Sequence, residues 1–329
     1  MKSSKLISAA IFSFSLLAFL PAQEQLRRII LDEVLVIDEI ESGVMYQKVG
    51  VTTDSEDNIY VTDLKGDSIK KFNKIGELMK KTGRNGKGPE EFNEPSLIKY
   101  FNDKLYLTES YRPGISVFDG DLKFNSKIPI RFTVTDLNFT SGNQIAVSTL
   151  VRDRSEEGDF NFCIYLYDSA GNEKGKIVYE TSKIFTMMNM INFKIDRSNN
   201  LLVAYCWKDK IEKLDRNGNL LWVKSLLGNR EVRTKKIKGT KATLSEYPQE
   251  TVYKAIALDT YGNLFVLGGD LSENRNRDVY VLGSDGQHLL TFTLPESSHT
   301  IHIDSKNNLY SRSENGLIVR KYALKYISE

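Results

Sequence analysis

The chain has 329 residues, 45 Lys and Arg against 43 Asp and Glu, 40% hydrophobic residues and two cysteines. A formal charge of only +2 gives no general electrostatic case for nucleic acid or an anionic membrane surface. Two cysteines are too few for a disulfide-built scaffold. Beyond the N-terminal segment no apolar stretch reaches the roughly 20 residues that a membrane helix needs.

The chain opens with a targeting segment. Lys2 and Lys5 form a positive n-region, residues 6–20 an apolar run broken by Ser, and Leu20-Pro21-Ala22 a small-residue cleavage site. This is the pattern of a secretory signal peptide. Residues 1–22 are therefore assigned to the signal and residues 23–329 to one domain. No Cys follows the site, which argues against a lipid anchor. Losing Lys2 and Lys5 takes the formal charge from +2 to 0. The expectation is an exported, monomeric protein, periplasmic or extracellular, with no membrane insertion after signal removal.

Next, residues 29–40 (IILDEVLVIDEI) read as a strand standing before the first full repeat. The repeat then announces itself as DSEDNIYVTD, Asp54 to Asp63, in which an Asp precedes an Asn by four residues and an alternating apolar run follows. It returns at Asp196 and Asn200, Asp259 and Asn263, and Asp304 and Asn308. Asp and Asn side chains bond their own turn backbone and tolerate left-handed φ, so the phrase predicts a tight turn between two strands. Fifteen residues after Asn58 comes a second turn at Asn73, and fifteen after Asn200 another at Asp215. The same double spacing exposes weaker copies at Lys104 and, with an insertion of nine, Gln144.

The six equivalent positions are 58, 104, 144, 200, 263 and 308, with a mean gap of 50. Four short strands per repeat of that length is the signature of a propeller blade. We label the strands a to d from the Asp turn: a before it, b after it, c and d around the second turn. The fold is predicted as all-β, a six-bladed β-propeller of four-stranded blades. The last unit shows strands near 299–303, 308–313 and 316–323, then only the short end 324–327. An unpaired sheet edge invites aggregation, so the N-terminal strand is expected to complete the last blade.

Blade one ends at Gly86-Lys87-Gly88-Pro89-Glu90-Glu91-Phe92, followed by Pro95. This junction resembles the Gly-x-Gly-Pro-x-x-Phe phrase of NHL-type six-bladed propellers, and Asn-Ile-Tyr-Val-Thr-Asp resembles their second strand. The likeness spans about residues 45–325. It implies kinship with secreted bacterial propellers, many without an assigned activity. Some six-bladed relatives are lyases or lactonases with a metal over the central channel, its ligands drawn from several blades.

For such chemistry Asp63, Glu109 and Asp209 end b strands and offer carboxylates, whereas blades three, five and six offer Thr149, Gly268 and Arg312. His299 and His302 stand three apart on one strand and point to opposite faces. No Gly-x-Ser-x-Gly elbow or phosphate-binding loop occurs, and the Asp-to-Asn phrases lack the distal Glu of a Ca²⁺ loop. Cys163 and Cys206, in neighbouring blades, are read either as a disulfide or as small buried hydrophobes. No cofactor or metal is expected.

The connections locate function. The a–b and c–d turns share one face of the disc and are short; the insertions, at 83–95, 151–159, 182–189, 229–250 and 268–278, fall on the other. Long loops carry recognition. They bring Arg112, Trp207, Arg233, Lys235 and Arg275 to that face, beside a basic run at 229–241. The reading is a binding or scaffolding module for a protein or glycan partner, contacted by these residues with Asp63, Glu109 and Asp209. The alternative is a metal-assisted lyase or hydrolase at the central channel.

Overall fold

The computed structural model describes residues 26–38, 49–110, 112–150, 152–238 and 244–328. The signal segment, its cleavage site and residues 39–40 of the first expected strand lie outside these. Six antiparallel sheets form the six blades: four have four strands in sequential order, blade three has five strands, and blade six takes its fourth strand from the N-terminal end of the described chain. The innermost strands are Val51–Thr53, Pro95–Phe101, Asp136–Phe139, Ile191–Ile195, Tyr253–Leu258 and Ser298–Ile303. Blade three adds Asp153–Arg154, paired with Phe160 and Asn161, which is how its insertion folds.

Burial falls from axis to rim. Second strands such as Ile59–Asp63, Leu201–Tyr205 and Leu264–Gly268 are buried throughout. Outer strands such as Leu78–Thr82 and Leu220–Lys224 are mostly exposed. The apolar core is accordingly divided among the seams between blades. Val203 and Phe193 pack with Ile164 of the preceding blade, and Val281 and Phe265 with Leu309 of the next. Each blade thus buries the two faces that its neighbours cover.

The Asp-to-Asn phrase is a side-chain-locked turn. One oxygen of Asp54 accepts the N–H groups of Glu56 and Asn58, both at 2.9 Å, and the other accepts the Asn58 amide at 2.8 Å. Asp196, Asp259 and Asp304 repeat the arrangement. The c–d turns at Asp168 and Asp215 use it again, with Asn172 and Asn219 as partners. The residue before the Asn takes positive φ, as at Asp57 (68°) and Asn199 (61°), completing a turn that matches the twist of its strands.

Ring closure follows the expected plan with a shifted boundary. Leu26–Ile37 pairs antiparallel with Val319–Ser328, from Leu26 opposite Ser328 to Ile37 opposite Val319. The third strand of blade six therefore runs unbroken through 324–327, because the closing strand gives it a partner along its whole length. Ile37 is 3% exposed against Val51, Ile59 and Phe72 of blade one, while Val34 and Val36 face solvent at 52% and 42%. A wholly buried Arg312 reinforces the same seam, donating from Nε to the Gly316 carbonyl at 2.9 Å and from Nη1 to that of Gly50 at 3.0 Å. Burial pushes this guanidinium down to about 9 despite the nearby Asp63 carboxylate.

Cys163 and Cys206 are buried free thiols. Cys163 packs in the seam between blades two and three, whereas Cys206 sits beside the Asn192 amide in blade four. The disulfide option is closed by that placement.

Candidate functional site

The long connections of blades four to six meet over the mouth of the central channel and enclose a cleft of about 1200 Å³. One wall is apolar: Met187, Met190, Trp207, Tyr247 and Pro248. It is shaped by a small sheet that the sequence reading did not anticipate. Leu244–Pro248 pairs antiparallel with Thr234–Lys238 and parallel with Phe185–Thr186. Thr186 then caps the turn Met187–Asn189, its hydroxyl accepting the Met188 N–H at 3.1 Å. Trp207 is half-buried and packs on the core shared by blades four and five.

The polar lining comes mostly from blades five and six, Asp270, Arg275, Asn276, Glu296, Glu314 and Asn315, where Ile318 adds an apolar side chain. Lys254 and His299, at the starts of two innermost strands, contribute to the floor. Below them the channel narrows to about 40 Å³, room for a few waters.

Charges in the cleft are matched pair by pair. Arg275 reaches one oxygen of Asp270 with Nη2 at 2.7 Å and Nε at 2.8 Å. The other oxygen accepts the N–H and the hydroxyl of Thr251, both at 2.9 Å. Burial pushes the Asp270 carboxyl up, but the Thr251 N–H and then Arg275 outweigh it and hold it below the usual range. Lys254, nearly buried, bonds Glu314 across the blade seam at 2.7 Å. At the rim Arg233 pairs with Glu250 at 2.6 Å, and Arg320 with Glu296 at 2.7 Å.

Of the residues singled out from the sequence, Trp207 and Arg275 line the cleft. Arg233 borders it through Glu250, and Lys235 stands exposed on the adjoining small sheet. Asp63, Glu109, Arg112 and Asp209 do not line it; they bind connections. Asp63 is buried, ion-paired with Lys70 at 3.2 Å and accepting the Gly66 N–H at 3.0 Å. Glu109 accepts the Asn93 N–H at 2.7 Å and pairs with Arg112 at 3.2 Å. Arg112 in turn donates to the Gly86 and Glu91 carbonyls. Both residues thereby fix the Gly-Pro-Phe junction, whose Phe92 is buried edge-on against Phe118.

Asp209 is the strongest clamp. It accepts the Leu226, Leu227 and Asn229 N–H groups at 2.8–2.9 Å, the Ser225 hydroxyl at 2.6 Å and the Tyr253 hydroxyl. Burial raises its carboxyl, but these donors, Ser225 foremost, bring it below the usual range. Its partner Tyr253 is pushed up by burial and by the carboxylate.

The sequence reading passed over Lys254, Asn276 and Glu314, and weighed His299 only as a metal ligand. A signal for two of them was present: Lys254 and His299 each stand five residues before the turn Asp of their blade, Asp259 and Asp304. That register places both at the same level of the channel mouth. Among the described residues, no three His, Cys, Asp or Glu side chains gather as a metal site would require.

No family model matches the chain, and no curated protein matches it. Solved structures do match. Streptogramin B lyase is similar with a TM-score of 0.55 and 12% identity, over 91% of this chain and 98% of that one. Virginiamycin B lyase from Staphylococcus aureus gives 0.56 and 11%, over 91% and 100%. A chain of a mitotic checkpoint complex gives 0.56 and 9%, over 98% and 100%. At such identities the likeness establishes the six-bladed propeller and nothing finer.

Proposed function

We propose that this chain is an exported binding or scaffolding module that holds a protein or glycan partner in the cleft over blades four to six. The observation that carries the reading is the convergence of three long insertions, through Met187, residues 247–250 and residues 270–276, with residues 313–318 on one concave site. The opposite face has short turns whose Asp and Asn side chains are spent on their own backbone. Kinship with secreted NHL-type propellers belongs to the same proposal, supported by the signal pattern and the Gly-Pro-Phe junction.

Two of the similar folds are lyases by name and one belongs to a protein assembly. The assembly role accords better with the site. Glu109 and Asp209, which a metal-assisted mechanism would have borrowed, are committed to holding loops.

The test is retention of native-envelope material on immobilised mature protein. Arg233→Glu with Lys235→Glu, which sets a carboxylate against Glu250 and reverses the charge beside it, is expected to lose the bound material. Lys74→Glu with Arg216→Glu, in the short turns of the other face, is expected to keep it. The reverse pattern would place recognition on the wrong side of the disc.

A further inference from the structure

We infer that the cleft takes an uncharged oligosaccharide, an inference that rests on the cleft being the binding site. Three observations point to it. The four carboxylates in the walls, Glu250, Asp270, Glu296 and Glu314, each hold a cation of this chain, and so Lys254 and Arg275 are engaged too. A charged ligand would have to compete with an internal partner for each of these groups. A neutral, hydroxyl-rich ligand leaves them intact and uses their remaining hydrogen-bonding positions.

Asn276 supplies the second observation. It lines the cleft, is 7% exposed, and has a fixed backbone at φ 60°, its N–H donating to the Gly269 carbonyl at 3.1 Å and its carbonyl accepting from Ser298 at 2.8 Å. Its side-chain Oδ1 is buried with no hydrogen-bond partner. A buried acceptor left unpaired costs stability, and a turn of the Asn276 side chain toward the cleft would let a ligand hydroxyl relieve that cost. A carboxamide presents one acceptor and one donor side by side, the complement of two adjacent hydroxyls. Either orientation of the amide gives the same pair.

The third is the apolar wall. Trp207 and Tyr247 line the cleft with Met187, Met190 and Pro248, together with the polar residues of blades five and six, a mixture that suits a ring with one C–H face and a polar rim. The volume of about 1200 Å³ exceeds the roughly 300–1,000 Å³ of small-molecule pockets, leaving room for several sugar units. A peptide is served less well. The open edge of the small sheet, Thr234–Lys238, is not among the walls, so main-chain pairing has no strand to join there.

The experiment is an array of neutral and acidic oligosaccharides probed with the full mature protein, followed by calorimetry on the tightest neutral binder at low and high salt. Binding to neutral glycans that barely changes with salt is expected. Asn276→Ala weakens it about tenfold or more, and Trp207→Ala abolishes it. Thermal unfolding of each variant separates lost binding from lost fold, and the array on the parent protein decides the matter if Asn276→Ala does not fold. Binding to acidic glycans alone, or to no glycan, overturns the inference. Envelope material that Trp207→Ala releases, and that protease but not glycosidase removes, would leave the cleft as a binding site for a peptide. Envelope material that Trp207→Ala and the Arg233/Lys235 reversal both retain sinks the binding site itself.

Discussion

Removing the Asp209 carboxylate separates two roles that a sequence cannot tell apart. If Asp209 met a ligand, Asp209→Ala would abolish binding and leave the fold intact. The structure gives it instead three backbone N–H groups, two hydroxyls and the start of the connection that builds the apolar wall. The hydroxyls can turn to other acceptors, whereas the three N–H groups cannot. At about 1–3 kcal/mol for each stranded donor, and with water reaching part of a half-buried loop, the expected loss is about 3–5 kcal/mol. At about 2 °C per kcal/mol for a chain of this size, Tm falls by about 6–10 °C. Protease should cut first within 225–250, as the loop opens before the blades. Asp209→Asn, which keeps one acceptor, should fall between.

The effect depends on pH with a definite sign. The folded carboxyl sits below its ordinary value, so its contribution is complete above the unfolded value near 3.9 and vanishes as pH falls through the lowered folded value. The stability gap between parent and Asp209→Ala should therefore be full at neutral pH and close on acidification below about 4. A variant with unchanged Tm and protease pattern at neutral pH would refute the clamp.

Two further expectations concern the ends of the chain. Ile37→Asp puts a charge in the seam between blades six and one and should cost several kcal/mol, whereas Val36→Asp, half-exposed on the other side of the same strand, should stay within about 0.5 kcal/mol. Urea unfolding compares them, and equal losses would mean that the strand does not close the ring. Export should yield a mature species beginning at Gln23; an intact mass that retains residues 1–22 refutes the signal assignment.

The turns were legible because their chemistry is local. Asp54 and Asn58 find each other within five residues, and the repeat of that device fixed the blade count. Loop anchors were not legible in the same way. Asp209 stands out as a carboxylate, but three of its donors are backbone N–H groups 17 to 20 residues downstream, and a main-chain donor has no letter in the sequence. The stretch 229–241 likewise read as a basic loop because lysines hide strand propensity. Its neighbour Leu244–Pro248 pairs with Phe185–Thr186, some 60 residues away. Asn276 offered no signal at all, since an unpaired amide is a property of its surroundings.

The pairing of Leu26–Ile37 with Val319–Ser328 also sets an order of events in folding. Blades one to five can each assemble from contiguous chain, as all the strands of each come from one continuous stretch of sequence. The last sheet cannot, because its edge partner is made roughly 300 residues earlier. Until the C-terminal strand arrives, Leu35 and Ile37 have no lasting place, and the open flank of blade one lacks its neighbour. The half-built ring is thus an arc with two sticky ends, the kind of species prone to joining other copies. Closing the span itself costs little, since loop entropy grows only by about 0.6 kcal/mol per doubling of length. Time rather than free energy is the exposed quantity, and a chain that crosses a membrane before folding would begin that interval only on the far side.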